Sequence, residues 1–353
     1  MTGLSADVYG LRKENNMRNY LIPENGRFYK ANLHTHSTLS DGKLTPAELK
    51  KAYKSNGYSI LSITDHEILL DHSDLNDSDF LTITGYELYN NEPGKYWLQA
   101  KTCHLNFYAR DPQNVTQVCF NPKYLFSNAV SSASSIRYSG PLFEREYSPA
   151  GVNKMIREAV KHGFFVSYNH PAWSLENYND YTRYKGMFAM EIYNNTSTCD
   201  GNGDSHNENI YDDMLRAGKR IFALAGDDAH VVTPLGQPGC DLFGGWIMVK
   251  APELSYDAVV NALLSGAFYA SCGPEIQELY TENGKVFLRC SPVRDIRFVT
   301  SGRHAAFFRG TESAPLTSAE AAFSEADGYF RLEITDFSGR KAYTNPCFLT
   351  KEV

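Results

Sequence analysis

A distorted (β/α) barrel over residues 27–275, followed by a small β-sandwich over 276–353, is the fold class this sequence predicts. Three observations predict it. Short apolar runs alternate with amphipathic helical patterns through the first two thirds of the chain. Histidines and carboxylates recur where those apolar runs end, the edge at which barrels expose side chains to a common site. From about Ile276 the pattern becomes alternating polar and apolar residues broken by turn signals.

In order, residues 1–26 carry no apolar run and read as an N-terminal leader, with Met17 a candidate start. Arg27 to Leu33 reads as a strand, and His34-Thr35-His36 comes off its end. Side chains at i and i+2 share one face of a strand, so the two imidazoles point together. Asp41-Gly42 is a turn dipeptide that folds a carboxylate back towards them. Thr45-Pro46-Ala47-Glu48 combines a cap, a proline at the first helical position and a capping box. The helix it opens buries Leu49, Ala52 and Tyr53 and stops at Gly57. Tyr58 to Thr64 is a strand delivering Asp65-His66, which makes a strand–helix–strand unit. Phe80 to Thr84 is apolar and β-branched, with Glu87 just beyond, and His104 to Tyr108 is a further run.

Residues 111–147 are irregular and long for a compact domain, the mark of a lid or binding loop. Ser148-Pro149 opens a helix with Val152, Met155, Ile156, Ala159 and Val160 as its apolar face. Phe164 to Tyr168 then delivers His170, Met187 to Tyr193 ends at Asn194-Asn195, and Ile221 to Ala225 delivers Asp228-Ala229-His230. Trp246 to Val249 is one more strand, and Ser255 caps a last helix. Beyond Ile276 the one helix candidate is the Ala-rich stretch 318–323.

Collected, the strand-end residues are His34, His36, Asp41, His66, Glu87, His104, His170, Asp228 and His230. All are divalent-metal ligand types, and Asp228-x-His230 repeats the spacing of His34-x-His36. A tetrahedral ion takes about four ligands, so this set suits two or three ions with a bridging carboxylate. Net charge is −7 and no basic stripe is present, so a nucleic-acid polymer is not the partner. A small anionic substrate is compatible, because the metals supply the local positive charge. The seven cysteines are scattered without CxxC spacing and point to a reducing, cytoplasmic compartment with free thiols. No apolar run is long enough to span a bilayer.

His34-Thr35-His36-Ser37 with Ser40-Asp41-Gly42, then Ile63-Thr64-Asp65-His66, Gly85-Tyr86-Glu87, Asn169-His170-Pro171 and Gly226-Asp227-Asp228-Ala229-His230, resemble the PHP (polymerase and histidinol phosphatase) superfamily of metal-dependent hydrolases. The match follows the family's order from about residue 28 to 275. The resemblance implies a distorted seven-stranded (β/α)7 barrel and two or three zinc, manganese or iron ions. It implies that His34, His36, Glu87 and Asp228 bind a first ion. Glu87 then bridges to a second ion held by His104 and His170, and Asp41, His66 and His230 hold a third. Ala267 to Pro274 and Gly339 to Pro346 resemble the carbaryl and carbofuran hydrolase branch, which has a similar C-terminal β domain.

Ions this close lower the pKa of a shared water and polarise a phosphoryl or carbonyl oxygen. Asp228 is a candidate to orient or deprotonate that water, with a ligand role favoured. A phosphoesterase should also present a cation to the non-bridging oxygens, for which Arg137, Arg145 and Lys101 are candidates. The expected activity is phosphoesterase action on a small phosphorylated metabolite or nucleotide. A carboxylester or carbamate hydrolase and a non-catalytic metal-binding module are the alternatives.

Overall fold

The computed structural model describes residues 18–201 and 206–349 of the chain. It is a mixed α/β structure with several sheets. Two compact units divide it, and Tyr29–Ile247 with Leu254–Val260 form the one that holds every candidate side chain.

Arg27–Asn32, which enters that unit at Tyr29, forms a parallel ladder with Ile60–Leu61 and Leu81–Thr82, with Ala31 opposite Ile60 and Leu61 opposite Thr82. A second sheet runs Gly85–Asn91, Thr102–Ala109, Phe164–Tyr168, Ala189–Asn194 and Phe222–Gly226. Its first three strands are antiparallel and its last pairings parallel. Among the described residues the regular ladders form no closed ring. Two isolated parallel bridges, Thr35–Ala229 and His66–Glu87, lie outside these ladders.

The helices begin where their capping chemistry sits. Thr45 Oγ1 accepts from the Glu48 amide while the Glu48 carboxylate accepts from the Thr45 amide, ahead of Pro46–Ser55. That helix buries Leu49 and Tyr53 completely in a cluster with Tyr58, Leu61, Ile63 and Phe80. Each such side chain contributes about 1.5–3 kcal/mol of burial free energy. Ser148 Oγ caps Pro149–Lys161 through the Gly151 amide. Val152, Met155, Ile156 and Ala159 are buried as expected, whereas Val160 is exposed on the outer edge of the stripe. Between residues 111 and 147 the backbone forms two short 3-10 turns, Pro122–Tyr124 and Ser127–Ser132, and no α-helix.

The second unit is antiparallel. One ladder runs Asn19–Tyr20, Ile276–Glu282, Lys285–Val293, Leu316–Ala322. Another runs Ala305–Arg309, Asp295–Thr300, Tyr329–Thr335, Lys341–Thr344, Phe268–Ser271, with Cys347–Phe348 beside Tyr329–Thr335. Leu279, Val286, Leu288, Ile296, Phe298, Leu332 and Ile334 share one core. The expected helix at 318–323 is instead part of Leu316–Ala322. Ala319 and Ala321 pack on the core at a spacing of two, and ladder pairing to Lys285–Val293 overrides alanine's helical preference. Of the expected leader, residues 1–26, positions 1–17 lie outside the described residues, and Asn19–Tyr20 pairs as a strand with Thr281 and Tyr280. None of the seven cysteines is in a disulfide. Among the described residues no helix is long and apolar enough to cross a membrane.

Candidate metal centre

The site is assembled by backbone pairing between segments almost two hundred positions apart. The Thr35–Ala229 bridge is flanked by hydrogen bonds from the His36 amide to the Ala229 carbonyl and from the Asp228 amide to the His34 carbonyl, both 2.9 Å. His34, His36 and Asp228 therefore project from adjacent extended segments onto one face. Glu87 joins them from Gly85–Asn91, where His66 bridges to it in parallel. Asp41 returns through a turn closed by the Gly42 amide on the Ser37 carbonyl, 2.9 Å. A Cβ on Gly42 would sit 2.2 Å from the His36 carbonyl oxygen, so only glycine allows this return. Asp65 braces the same turn, accepting from the Ser37 amide and from the Ser37 and Ser40 hydroxyls at 2.6–2.7 Å.

The separations within the cluster are uniform. His34 Nε2 and His36 Nε2 are 3.3 Å apart, each lies 3.0 Å from Asp228 Oδ1, and each lies 3.3 Å from Glu87 Oε2. His66 Nδ1 is 3.1 Å from Glu87 Oε2, His104 Nδ1 is 3.2 Å from Glu87 Oε1, and His170 Nε2 is 3.5 Å from Glu87 Oε1. Asp41 lies 3.6–3.9 Å from His36, His66 and His230. Three groups of ligand atoms are close enough to share an ion: His34, His36, Glu87 and Asp228; His36, Asp41, His66 and His230; and His66, Glu87 and His104. His170 sits beside the third group, its ring centroid 4.8 Å from that of His104.

These donors fit divalent cations. Atoms sharing one ion at a bond length of about 2.1 Å lie about 3.0–3.4 Å from one another, which is the spacing seen in the first group. The hydrogen-bond inventory agrees, because His36 Nδ1, His66 Nδ1 and Glu87 Oε2 are buried without a hydrogen-bond partner. Leaving such atoms unpaired is costly unless something else binds them.

The imidazoles are also held in the tautomer that a ligand needs. His34 Nδ1 donates to Glu191 Oε1 at 2.7 Å, and His230 Nδ1 donates to the Asp228 carbonyl at 2.8 Å. With a carboxylate and a carbonyl oxygen as the acceptors, the proton sits on Nδ1 and the Nε2 lone pair faces the cluster. His170 Nδ1 lies 3.2 Å from Ser174 Oγ. Asn169 Nδ2 donates to Glu87 Oε1 at 2.7 Å, and Asn194 Nδ2 donates to Asp228 Oδ2 at 3.2 Å. Asp228 and His170 both have positive φ, +55° and +26°, backbone strain located at the ligands.

Burial opposes charging His34, but Asp228, Glu87 and Glu191 outweigh it and raise its pKa well above the imidazole value. Burial likewise opposes His36, while hydrogen bonds to Asp228 and Glu87 bring it up to about 10. Burial pushes the Asp228 and Glu87 carboxyls up, but the surrounding imidazoles hold both well below the carboxylate range. The carboxylates thus demand positive charge, and a metal would displace the protons that otherwise supply it.

All nine residues expected as ligands are brought together. The three expected anion-binding cations are not. Arg145 is buried against Glu67, its two terminal nitrogens 2.7 and 2.6 Å from the two carboxylate oxygens. Lys101 pairs with Asp180 at 2.6 Å, and Arg137 is exposed. None of them lines the cavity of about 780 Å³ that opens onto the cluster. The important side chain that motif reading missed is Glu191, a carboxylate in the fully buried strand Ala189–Asn194. An acidic residue inside an otherwise apolar strand was its signal.

Comparison with protein-family models and with curated proteins yields no match. Comparison with solved structures yields likenesses that include the following three. A two-domain protein containing a predicted PHP-like metal-dependent phosphoesterase from Bacteroides vulgatus is 16% identical, covers 92% of this chain and 96% of its own, and has a TM-score of 0.45. A candidate metal-dependent phosphoesterase from Bifidobacterium adolescentis is 14% identical over 69% of this chain and 96% of its own, with a TM-score of 0.38. An amidohydrolase from Chromobacterium violaceum, with bound sulfate and no metal, is 16% identical over 59% of this chain and 89% of its own, with a TM-score of 0.33.

Proposed function

We propose that this chain is a metal-dependent hydrolase of the PHP type, acting on a small phosphate ester. The observation that carries the reading is the set of 3.0–3.3 Å separations among His34, His36, Glu87 and Asp228, with Glu87 Oε2 buried and unpartnered. These four would hold a first ion. Glu87 Oε1, His104 and His170 would hold a second, and Asp41, His66 and His230 a third. When bound, the cations would lower the pKa of a coordinated water and polarise the phosphoryl oxygens.

The chain's own residues have separable tasks. Glu191 keeps the His34 proton on Nδ1 and fixes the backbone of His170, whose amide donates to its second oxygen at 3.0 Å. Asp228 has both oxygens engaged, which favours a ligand over a free general base. The fold that accompanies this reading is a distorted (β/α)7 barrel with a C-terminal β-sandwich. The bridges Thr35–Ala229 and His66–Glu87 support the first, by pairing the segments that follow Arg27–Asn32 and Ile60–Leu61 with segments in or just after the second sheet's two outer strands. The core shared by two antiparallel ladders supports the second.

One observation favours a carboxylester or carbamate substrate instead. Among the described residues no lysine or arginine lines the cavity, so a phosphoryl group would depend on the metals alone for charge. Metal-stripped protein reconstituted with Mn²⁺ or Zn²⁺ tests both readings. The expected result is two or three ions per chain and hydrolysis of 4-nitrophenyl phosphate that chelation abolishes. Hydrolysis of 4-nitrophenyl acetate alone would replace the first reading with the second, and failure to bind metal would end both.

A further inference from the structure

The cavity above the cluster is asymmetric, and the asymmetry speaks to the group that a phosphoryl substrate carries. On the side of His66, His104 and His170 its wall is aromatic. The Phe126 ring centroid is 5.0 Å from that of His66. Trp173 lies edge-on to His170 at 4.9 Å and to His104 at 5.5 Å. Tyr89 is 5.6 Å from Phe126, and its hydroxyl is already donated to the Tyr124 carbonyl. Trp97 stands at the same cavity with 66% of its surface exposed. Phe126 and Trp173 are only half-buried. Apolar faces left open beside a reactive centre are what an aromatic ligand group covers.

The remaining wall excludes a different ligand. Its charged residues beyond the cluster are Asp200 and Asp241, with Thr196, Ser197 and Thr233 between them. Asp241 is fixed as an acceptor for the His230 and Val231 amides. Among the described residues the cavity offers no lysine or arginine to a second anionic group. Among the described residues neither a lysine nor an unspent tyrosine hydroxyl lines it to protonate a leaving alkoxide. An aryl oxide leaves without such help, because its conjugate phenol has a pKa of only about 10.

We infer that the site takes phosphate monoesters of uncharged aromatic alcohols and discriminates against substrates with a second anion. This rests on the phosphoesterase reading above. In the reaction, a water oxygen forms the new bond to phosphorus. The bond from phosphorus to the aryl oxygen breaks, and that oxygen departs with the electron pair and is protonated by solvent. The products are inorganic phosphate and the phenol. The cavity volume, about 780 Å³, leaves room for a fused two-ring group beyond the phosphoryl position.

The test uses the full chain, reconstituted with Mn²⁺, and compares kcat/KM for 1-naphthyl phosphate, glycerol 2-phosphate, and the pair 4-(methoxycarbonyl)phenyl and 4-carboxyphenyl phosphate. The last two differ in one added charge. The ester should exceed the acid by about tenfold, and 1-naphthyl phosphate should be the best substrate. Trp97→Ala should lower the preference for 1-naphthyl over glycerol phosphate by about tenfold, with the bound metal content unchanged. Because Trp97 is largely exposed, its loss leaves the core intact. Turnover with no preference across the panel overturns the inference and leaves the phosphoesterase reading standing. No turnover of any phosphate ester by fully metallated protein overturns both.

Discussion

Glu191→Gln isolates the role of a residue that touches no predicted ion. The carboxylate is 2% exposed and accepts three donors: His34 Nδ1–H at 2.7 Å, the His170 amide at 3.0 Å and Asn194 Nδ2 at 2.9 Å. Glutamine has the same shape but one acceptor oxygen. If that oxygen faces His34, the new amide group opposes the N–H of His170 and leaves a strained, positive-φ residue without its anchor. If it faces His170, the amide group opposes His34 Nδ1–H. The ring must then move its proton to Nε2, which points at Asp228 and Glu87 and is the lone pair a metal needs. Either way one charge-assisted hydrogen bond is lost, worth about 1.5–3 kcal/mol. Converted to affinity, that is about 10–100-fold, the range seen when partners of metal-bound histidines are removed. The measurement is competition of apo-protein with a fluorescent chelator for Mn²⁺ or Zn²⁺, backed by the ¹⁵N shifts of labelled histidines. Weaker affinity with an altered His34 tautomer is expected. Affinity within twofold of wild type would refute the reasoning.

Three further perturbations follow. Asp228→Asn should remove at least one bound ion, read by elemental analysis, and lower phosphatase turnover by about 10³-fold or more, the scale of several kcal/mol of lost charge stabilisation. Arg145→Met should cost about 3–5 kcal/mol in urea unfolding, because it strands the Glu67 carboxylate in the interior, and adding Glu67→Gln should restore most of it. Glu176 is buried among the hydroxyls of Tyr147, Tyr168 and Tyr184, and burial raises its carboxyl to about 7 from an unfolded value of 4.5. Between those values the native state keeps a proton that the unfolded chain has released. Stability attributable to this group therefore falls as pH rises from 4.5 through 7, by about 3 kcal/mol in all. Glu176→Gln should abolish that component when unfolding is followed with a chelator present, and identical pH slopes for the two proteins would count against it.

Much of the site could be read from the chain because its ligands sit at the ends of apolar runs, where strand periodicity fixes the direction of a side chain. His34 and His36 share a face, as their spacing requires, and Asp228 and His230 approach the cluster from the other end of the unit. What escaped was set by tertiary context. Glu191 lies inside a strand whose apolar residues read as core, and only a neighbouring segment turns it into a hydrogen-bond acceptor for His34. Arg145 looked like an anion receptor on a loose loop, but the loop folds inwards and the positive-φ turn at Glu67 presents the carboxylate that consumes it. At 318–323 local alanine content pointed to a helix, while pairing with Lys285–Val293 imposed a strand.

Convergence of such distant residues needs a device that sets register, and two lone backbone pairs provide it. In the Thr35–Ala229 pair, the amides of Asp228 and His36 alternate along one short parallel contact, so three ligands of the first group are placed by a single alignment. The His66–Glu87 pair, with the Glu67 amide 2.8 Å from the Glu87 carbonyl, places the fourth. A slip of one residue in either contact would turn every ligand it carries to the opposite face. Short contacts of this kind contribute little stability by themselves, since each adds only a few hydrogen bonds. The bracing by Asp65, Glu191 and Asn169 is thus as necessary to the site as the ligands, because it holds these contacts in the alignment that brings the ligand atoms within reach of shared cations.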